Sequence, residues 1–245
     1  MSVPSMQLLA ASGGGSAVPP PFQVNWHAAV WADDPQWENP GDGNLVDSWR
    51  DGASSNTPVQ PAPSAQPTFY SSVALLNGHA AVAFDGDALG SPSFAPQASP
   101  TLVWIGHLDH PWASNNARLL DVNDAPSYTS LFLSADRGGK WCMYCVEGFR
   151  PSTVSHENTQ AHAIRARYAS GSGSLISVDG VETAFTTAAG DQASRFLLGA
   201  ANMLAGDASN NHTAFAGLFI GDVTTDPAWP AFVAWVFDYY GLTIS

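Results

Sequence analysis

Residues 163–187 constrain the fold more than any other part of the chain. They hold three short runs separated by turn signals. In the first run Ile164, Ala166 and Tyr168 share one face, and Arg165 and Arg167 point the other way. In the second, Ile176 and Val178 alternate with Ser177 and Asp179, and in the third Val181, Thr183 and Phe185 alternate with Glu182. A period of two is the period of a strand, whose successive side chains point to opposite faces. Asp179-Gly180 lies between two alternating runs. Such a pair signals a hairpin, because the tight turn needs positive φ and glycine adopts it without steric cost. Ser170-Gly171-Ser172-Gly173 reads as the other connector. The stretch predicts an antiparallel meander with one buried face.

The remaining chain reads as more of the same. A first strand and loop are expected over residues 24–37, with Trp26, Trp31 and Trp37, and Val46 and Trp49 are expected in the core. Asn77-Gly78 and Asp85-Gly86 bracket a strand with Val82 and Phe84 on one face. Residues 101–106, TLVWIG, are nearly all apolar, the mark of a strand covered on both faces. Further strands are expected at 118–122, 130–134, 140–146, 195–199 and 215–223. One helix closes the chain. Asp226 is its expected N-cap and Pro227 its first residue. Trp229, Phe232, Val233, Val236, Phe237 and Tyr240 form an amphipathic stripe, and Gly241 stops it.

At 245 residues the chain is long enough for one large all-β domain with a substantial core. Residues 1–23 read as an extended arm, with a flexible Gly13-Gly14-Gly15-Ser16 and a stiff Pro19-Pro20-Pro21. Residues 24–245 read as the domain. The net charge of −13, from 21 acids against 8 bases, lacks the basic footprint that nucleic acid or an anionic membrane surface requires. No run reaches the length of a membrane-spanning helix, and the start of the chain lacks the positive and apolar regions of a signal peptide. Lys140 is the one lysine beside seven arginines, the bias of a GC-rich coding genome.

The order of short motifs carries a resemblance. Val46-Asp47-Ser48-Trp49-Arg50-Asp51 is followed by Gln66-Pro67-Thr68-Phe69-Tyr70 and then by the stretch from Asn77-Gly78-His79 to Phe84-Asp85-Gly86. Later come Val178-Asp179-Gly180, Leu197-Leu198-Gly199-Ala200, Phe215-Ala216-Gly217 and Tyr239-Tyr240-Gly241. From about Trp26 onward the chain resembles the laminin-G-like branch of the concanavalin A-like lectin/glucanase superfamily. The resemblance implies an all-β fold: a two-sheet antiparallel jelly-roll β-sandwich with one short C-terminal helix. It does not fix a function, since such domains bind glycans or proteins, hydrolyse polysaccharides or build virus particles.

Glucanases of this superfamily carry two glutamates and an aspartate alternating on one strand; Glu38, Glu147, Glu157 and Glu182 do not form that pattern. No catalytic residues are therefore assigned. Asp85-Gly86-Asp87 and Asp121-Val122-Asn123-Asp124 offer oxygen ligands for calcium, but turn formation is the favoured role, so no cofactor or metal is assigned. Cys142 and Cys145 lie three apart on a strand, which puts their sulfurs on opposite faces as two buried thiols. His107 and His110 flank Asp109 and read as loop histidines with ordinary hydrogen bonds. For sugar binding, which needs an exposed aromatic beside polar groups, the candidates are Trp112 with Asp109 and Asn115, or Trp37 with Asp34. Core or loop packing is the favoured role for both tryptophans.

These readings converge on a non-enzymatic structural and adhesive module. The expected setting is a bacteriophage virion surface, as a minor tail or capsid decoration protein with a lectin-like domain. Met6, Leu8, Leu9, Pro19, Pro20 and Pro21 are the arm residues expected to dock it to the particle. Expected partners are other virion proteins, further copies of itself (a trimer above all) and a host cell-surface glycan, with neither nucleic acid nor membrane. The alternatives are an extracellular carbohydrate-binding module acting off the particle and, last, a polysaccharide hydrolase.

Overall fold

The computed structural model describes residues 20–60, 62–95, 97–108, 117–122, 130–134, 139–145, 148–155, 160–169, 171–187, 192–201, 207–208, 213–223 and 225–245. In chain order the strands are β1 (Ala28–Trp31), β2 (Thr68–Val73), β3 (His79–Phe84), β4 (Leu89–Gly90), β5 (Gln97–Ala98), β6 (Thr101–Leu108), β7 (Ala117–Asp121), β8 (Ser130–Ser134), β9 (Lys140–Cys145) and β10 (Gly148–Ser155). They continue with β11 (Ala161–Arg167), β12 (Gly171–Val178), β13 (Val181–Thr187), β14 (Gln192–Ala193), β15 (Leu197–Leu198), β16 (Ala200–Ala201), β17 (Asp207–Ala208) and β18 (Thr213–Gly221). One helix, α1 (Trp229–Tyr240), follows. All pairings are antiparallel, as the all-β jelly-roll expectation requires.

The large sheet runs β13-β12-β11-β6-β18-β3-β2, with β1 joined to the same side of β18 as β3. The second sheet runs β10-β9-β8-β7-β15-β4. Inner-face residues of both sheets interdigitate: Trp104, Ile164, Tyr168, Ile176, Phe84, Phe215 and Leu218 meet Trp141, Met143 and Leu120 in one buried cluster. The spacing of Phe215 and Leu218 would put them on opposite faces of a regular strand. A bulge between Phe215 and Gly217, opposite Gly106 and Ile105, inserts one residue and returns both to the inner face. Gly106 is required in that seam, because a Cβ there would stand 2.3 Å from the Ala214 carbonyl oxygen.

The meander buries one face, as expected, and the outer side chains of β13, Glu182, Ala184 and Thr186, are exposed; its outer face is covered at β11, through Ala161 and Ala163. A second apolar cluster lies between the outer face of the large sheet and α1. The sheet contributes small side chains there, Ala29, Ala81, Ala163 and Ala216, beside Val103 and Ile105. They leave room for Phe232, Val236 and Tyr240, spaced four apart on the helix face, with Trp235 and Tyr239 beside them. A helix of 12 residues is marginal alone, so this docking holds it. Residues 101–106 are covered on both faces, as expected, and all eight positions of β6 are buried.

Several boundaries differ from the sequence reading. The helix starts at Trp229, not Pro227, with Ala228 as N-cap. Asp226 instead accepts from the Ala228 N–H at 2.8 Å and from the Asn25 N–H at 2.7 Å, stapling the preceding turn to the start of the domain. Phe237 lies off the buried stripe and is exposed. Gly171 and Gly173 belong to β12, where a register shift between Gly171 and Ser174 absorbs them. β10 was missed because Pro151 interrupts its pattern; an edge strand tolerates a proline, since one row of its N–H groups needs no ladder partner. His107 sits in β6 rather than a loop, its Nδ1 2.9 Å from the Gln160 carbonyl oxygen. Asp179 (φ 49°) and Gly180 (φ 83°) form the expected tight turn.

Tyr240 ties the helix to β1: its hydroxyl accepts from the Trp31 indole N–H at 2.9 Å. Burial, then the nearby Asp33 charge, pushes the Tyr240 phenol well up, and Tyr239 is raised by the same causes. The fold therefore favours the protonated phenols. This stabilisation is complete below the ordinary phenol value of about 10 and is lost as pH rises toward the elevated folded values. Tyr240→Phe strands the buried Trp31 donor. It is expected to cost about 1–3 kcal/mol in denaturant unfolding and to flatten the alkaline decline, relative to wild type.

Candidate functional site

The sequence-predicted trio Asp109, Trp112 and Asn115 lies outside the described residues, as do His110, Asn123, Asp124, Met6, Leu8, Leu9 and Pro19. Pro20 and Pro21 begin a 3-10 turn, Pro20–Phe22, that folds back on the domain. The Pro21 carbonyl accepts from the Trp26 indole at 2.7 Å, and Phe22 packs edge-on against Trp31. Among the described residues no three His, Cys, Asp or Glu side chains are grouped to hold a metal ion. Asp87 Oδ2 accepts from the Asp85 N–H, the turn-forming role favoured from sequence. Cys142 and Cys145 are buried thiols; Cys145 joins the inner core with Trp141 and Met143, so Cys142 alternates to the other face.

The second sequence candidate, Trp37 with Asp34, borders a cleft of about 310 Å³ at the rim of the large sheet. Ala32, Asp33, Asp34 and Pro35 enter it from the loop after β1, Trp37, Asn39 and Asp42 from the following turns, and Phe69, Ser71 and Ala80 from β2 and β3. The backbone is fixed by side-chain turns: Asp34 Oδ1 accepts from the Gln36 N–H at 2.9 Å, and Asn39 Oδ1 from the Gly41 N–H at 3.1 Å. Gly41 has φ 88° and Gly43 φ 74°, values that favour glycine. Backbone bonds from the Gly43 N–H to Phe69 and from the Phe69 N–H to Asn44 then clamp this turn to β2.

Trp37 takes the core-packing role favoured from sequence, and the Trp37–Asp34 sugar platform is not formed. Trp37 is only 8% exposed, wedged against Trp49 and edge-on to Phe69, and its indole donates to the Ser48 carbonyl. The Asp34 carboxylate is fully buried and paired with the Arg50 guanidinium, which also donates to Gln36. Both are walls of the cleft.

The accessible polar groups are ones that sequence reasoning passed over. Asp33 Oδ2 accepts from the Tyr239 hydroxyl at 3.2 Å and lies 3.3 Å from His79 Nδ1, while the Ala80 N–H points at both oxygens. The His79 ring stacks on Tyr239 with centroids 3.6 Å apart. Asp42 is exposed; its Oδ1 accepts from the Ser71 N–H at 2.7 Å and the Ser71 hydroxyl at 2.9 Å. Those two bonds, the backbone one first, hold the Asp42 carboxyl below the usual carboxylate range. The Asn39-Pro40-Gly41-Asp42-Gly43 cluster reads from sequence only as a turn; nothing in it foretells that β2 would bring Ser71 to Asp42.

No protein-family model matches the chain, and no curated protein sequence matches it. Solved structures do share its fold. Trypanosoma rangeli sialidase in complex with sialic acid superposes with TM-score 0.52 at 14% identity, over 84% of this chain and 31% of the sialidase. Domain 4 of AbnA, a GH43 extracellular arabinanase from Geobacillus stearothermophilus in complex with arabinotriose, gives 0.51 at 12% identity, over 89% of this chain and 98% of that one. The ligand-binding domain of botulinum neurotoxin serotype D, in complex with N-acetylneuraminic acid, gives 0.50 at 9% identity, over 90% and 54%. The chain thus spans about a third of the sialidase it matches. At these identities the likeness establishes the fold alone, an antiparallel β-sandwich.

Asp34→Ala is expected to lower unfolding free energy by about 1–3 kcal/mol, because it strands Arg50 and opens the Gln36 turn. Asp42→Ala should leave stability near wild type, as measured by thermal melting. In Ser71→Ala the Asp42 carboxyl loses one donor and should titrate at higher pH than in wild type, read by carbon NMR.

Proposed function

We propose that this chain is a non-catalytic, lectin-like module that binds glycan. One observation carries the reading: a β-sandwich rim holds a small cleft whose accessible groups, Asp33, Asn39, Asp42 and Ser71, suit sugar hydroxyls and are fixed on a rigid frame. At about 310 Å³ the cleft is at the small end of ligand sites, the size for one or two sugar rings. Three structural neighbours were solved as sugar complexes, which supports the same reading. Without an exposed aromatic on its floor, the cleft holds ligand mainly through hydrogen bonds.

The adhesive setting on a bacteriophage particle rests on sequence alone: few charged residues, a Gly- and Pro-rich arm and no assigned catalytic set. Copies of this domain on a particle would gain avidity from weak individual sites.

Binding is checked on immobilised oligosaccharides. Saturable binding that falls several-fold in Asp42→Ala with Ser71→Ala, without loss of thermal stability, is the expected result. Reducing-sugar release by the purified protein would contradict the non-catalytic part. Sedimentation of source particles checks the setting: the chain should pellet in stoichiometric copies.

A further inference from the structure

Resting on the glycan-binding reading, we propose that the rim cleft selects neutral glycans and rejects sugars that carry a carboxylate. The argument is one of charge and of donor–acceptor balance. Two accessible carboxylates line the cleft, Asp33 and Asp42, beside the buried Asp34. The guanidinium beside them, Arg50, is taken by Asp34 and Gln36. His79 is stacked on Tyr239 and held at Asp33. The Ser71 hydroxyl is committed as a donor to Asp42. What the cleft offers a ligand is therefore mainly acceptors.

Neutral sugar hydroxyls can donate to those acceptors. A sialate or uronate carboxylate is acceptor-only when ionised. It would meet like charges within a few ångströms and find no cation to pair with among the described residues of the cleft lining. Asp42 is held ionised below the ordinary carboxylate range, so mild acid does not lift this repulsion. The surrounding field has the same sign, at −13 for the chain. Rejection by an unpaired like charge is a standard source of specificity. The fold is shared with proteins solved with sialic acid and N-acetylneuraminic acid, but the lining of this cleft points to a different ligand class.

The test uses the full chain and matched glycan pairs: lactose with 3′-sialyllactose, and a neutral galactose trimer with a galacturonic acid trimer. At low salt the neutral member of a pair should bind at least about tenfold more tightly, the size of effect that one close like-charge contact gives. Asp33→Asn with Asp42→Asn keeps one acceptor oxygen at each position, exchanges the other for an amide donor and removes two charges. It should narrow the gap several-fold by strengthening the anionic member, as should raising the salt to about 1 M, where the Debye length is about 3 Å. Equal or tighter binding of the anionic members to wild type overturns the selectivity and leaves the glycan-binding reading intact. Binding of no glycan in the set overturns both.

Discussion

The central pair of strands, β6 and β18, is buried on both faces, and the rest of the molecule depends on that. A strand in this position must present apolar side chains inward and outward, and it must find a cover for each face. The second sheet covers one face with Trp141, Met143 and Leu120. Helix α1 covers the other with Phe232, Val236 and Tyr240 over a floor of alanines. Each fully buried phenylalanine or leucine contributes about 1.5–3 kcal/mol, so the two covers dominate the favourable side of folding. The bulge in β18 reconciles one sequence with both faces by shifting the parity between Phe215 and Leu218.

The same packing positions the rim cleft. Trp31, at the end of β1, points into the helix interface and bonds Tyr240. The next residues, Asp33 and Asp34, therefore leave the sheet at a fixed place and divide their work. Asp34 turns inward to Arg50 and closes the loop. Asp33 meets Tyr239, His79 and the Ala80 N–H, so helix, β3 and loop converge on one carboxylate. A change in the helix dock would thus be felt at the cleft without any residue of the cleft being altered.

Much of the fold was legible because period-two alternation and turn dipeptides are local signals. Val82 with Phe84, Ile164 with Tyr168, and Asp179-Gly180 stand as the sequence implied. The two-sided burial of the large sheet's middle strands was less legible. Ala163 and Ala216 look unremarkable in sequence, and only the docked aromatics of α1 give them a role. β10 was hidden by Pro151, and the helix start was displaced because Asp226 spends its side chain on Asn25 and Ala228. The site was least legible. Trp37 stands beside polar residues in sequence, but its favoured core role holds, since Trp49 and Phe69 bury it. Asp42 and Ser71 are 29 positions apart and meet only through the register of the turn against β2.

Tyr144 and Phe149 pair across β9 and β10 with ring centroids 4.9 Å apart, on the side of the second sheet away from the core. The most direct measurement is an amide NMR titration of the full chain with a neutral oligosaccharide. The account predicts shifts concentrated at Asp33, Asn39, Asp42 and Ser71. Shifts confined to Tyr144, Phe149 and their neighbours, with the rim silent, would contradict it.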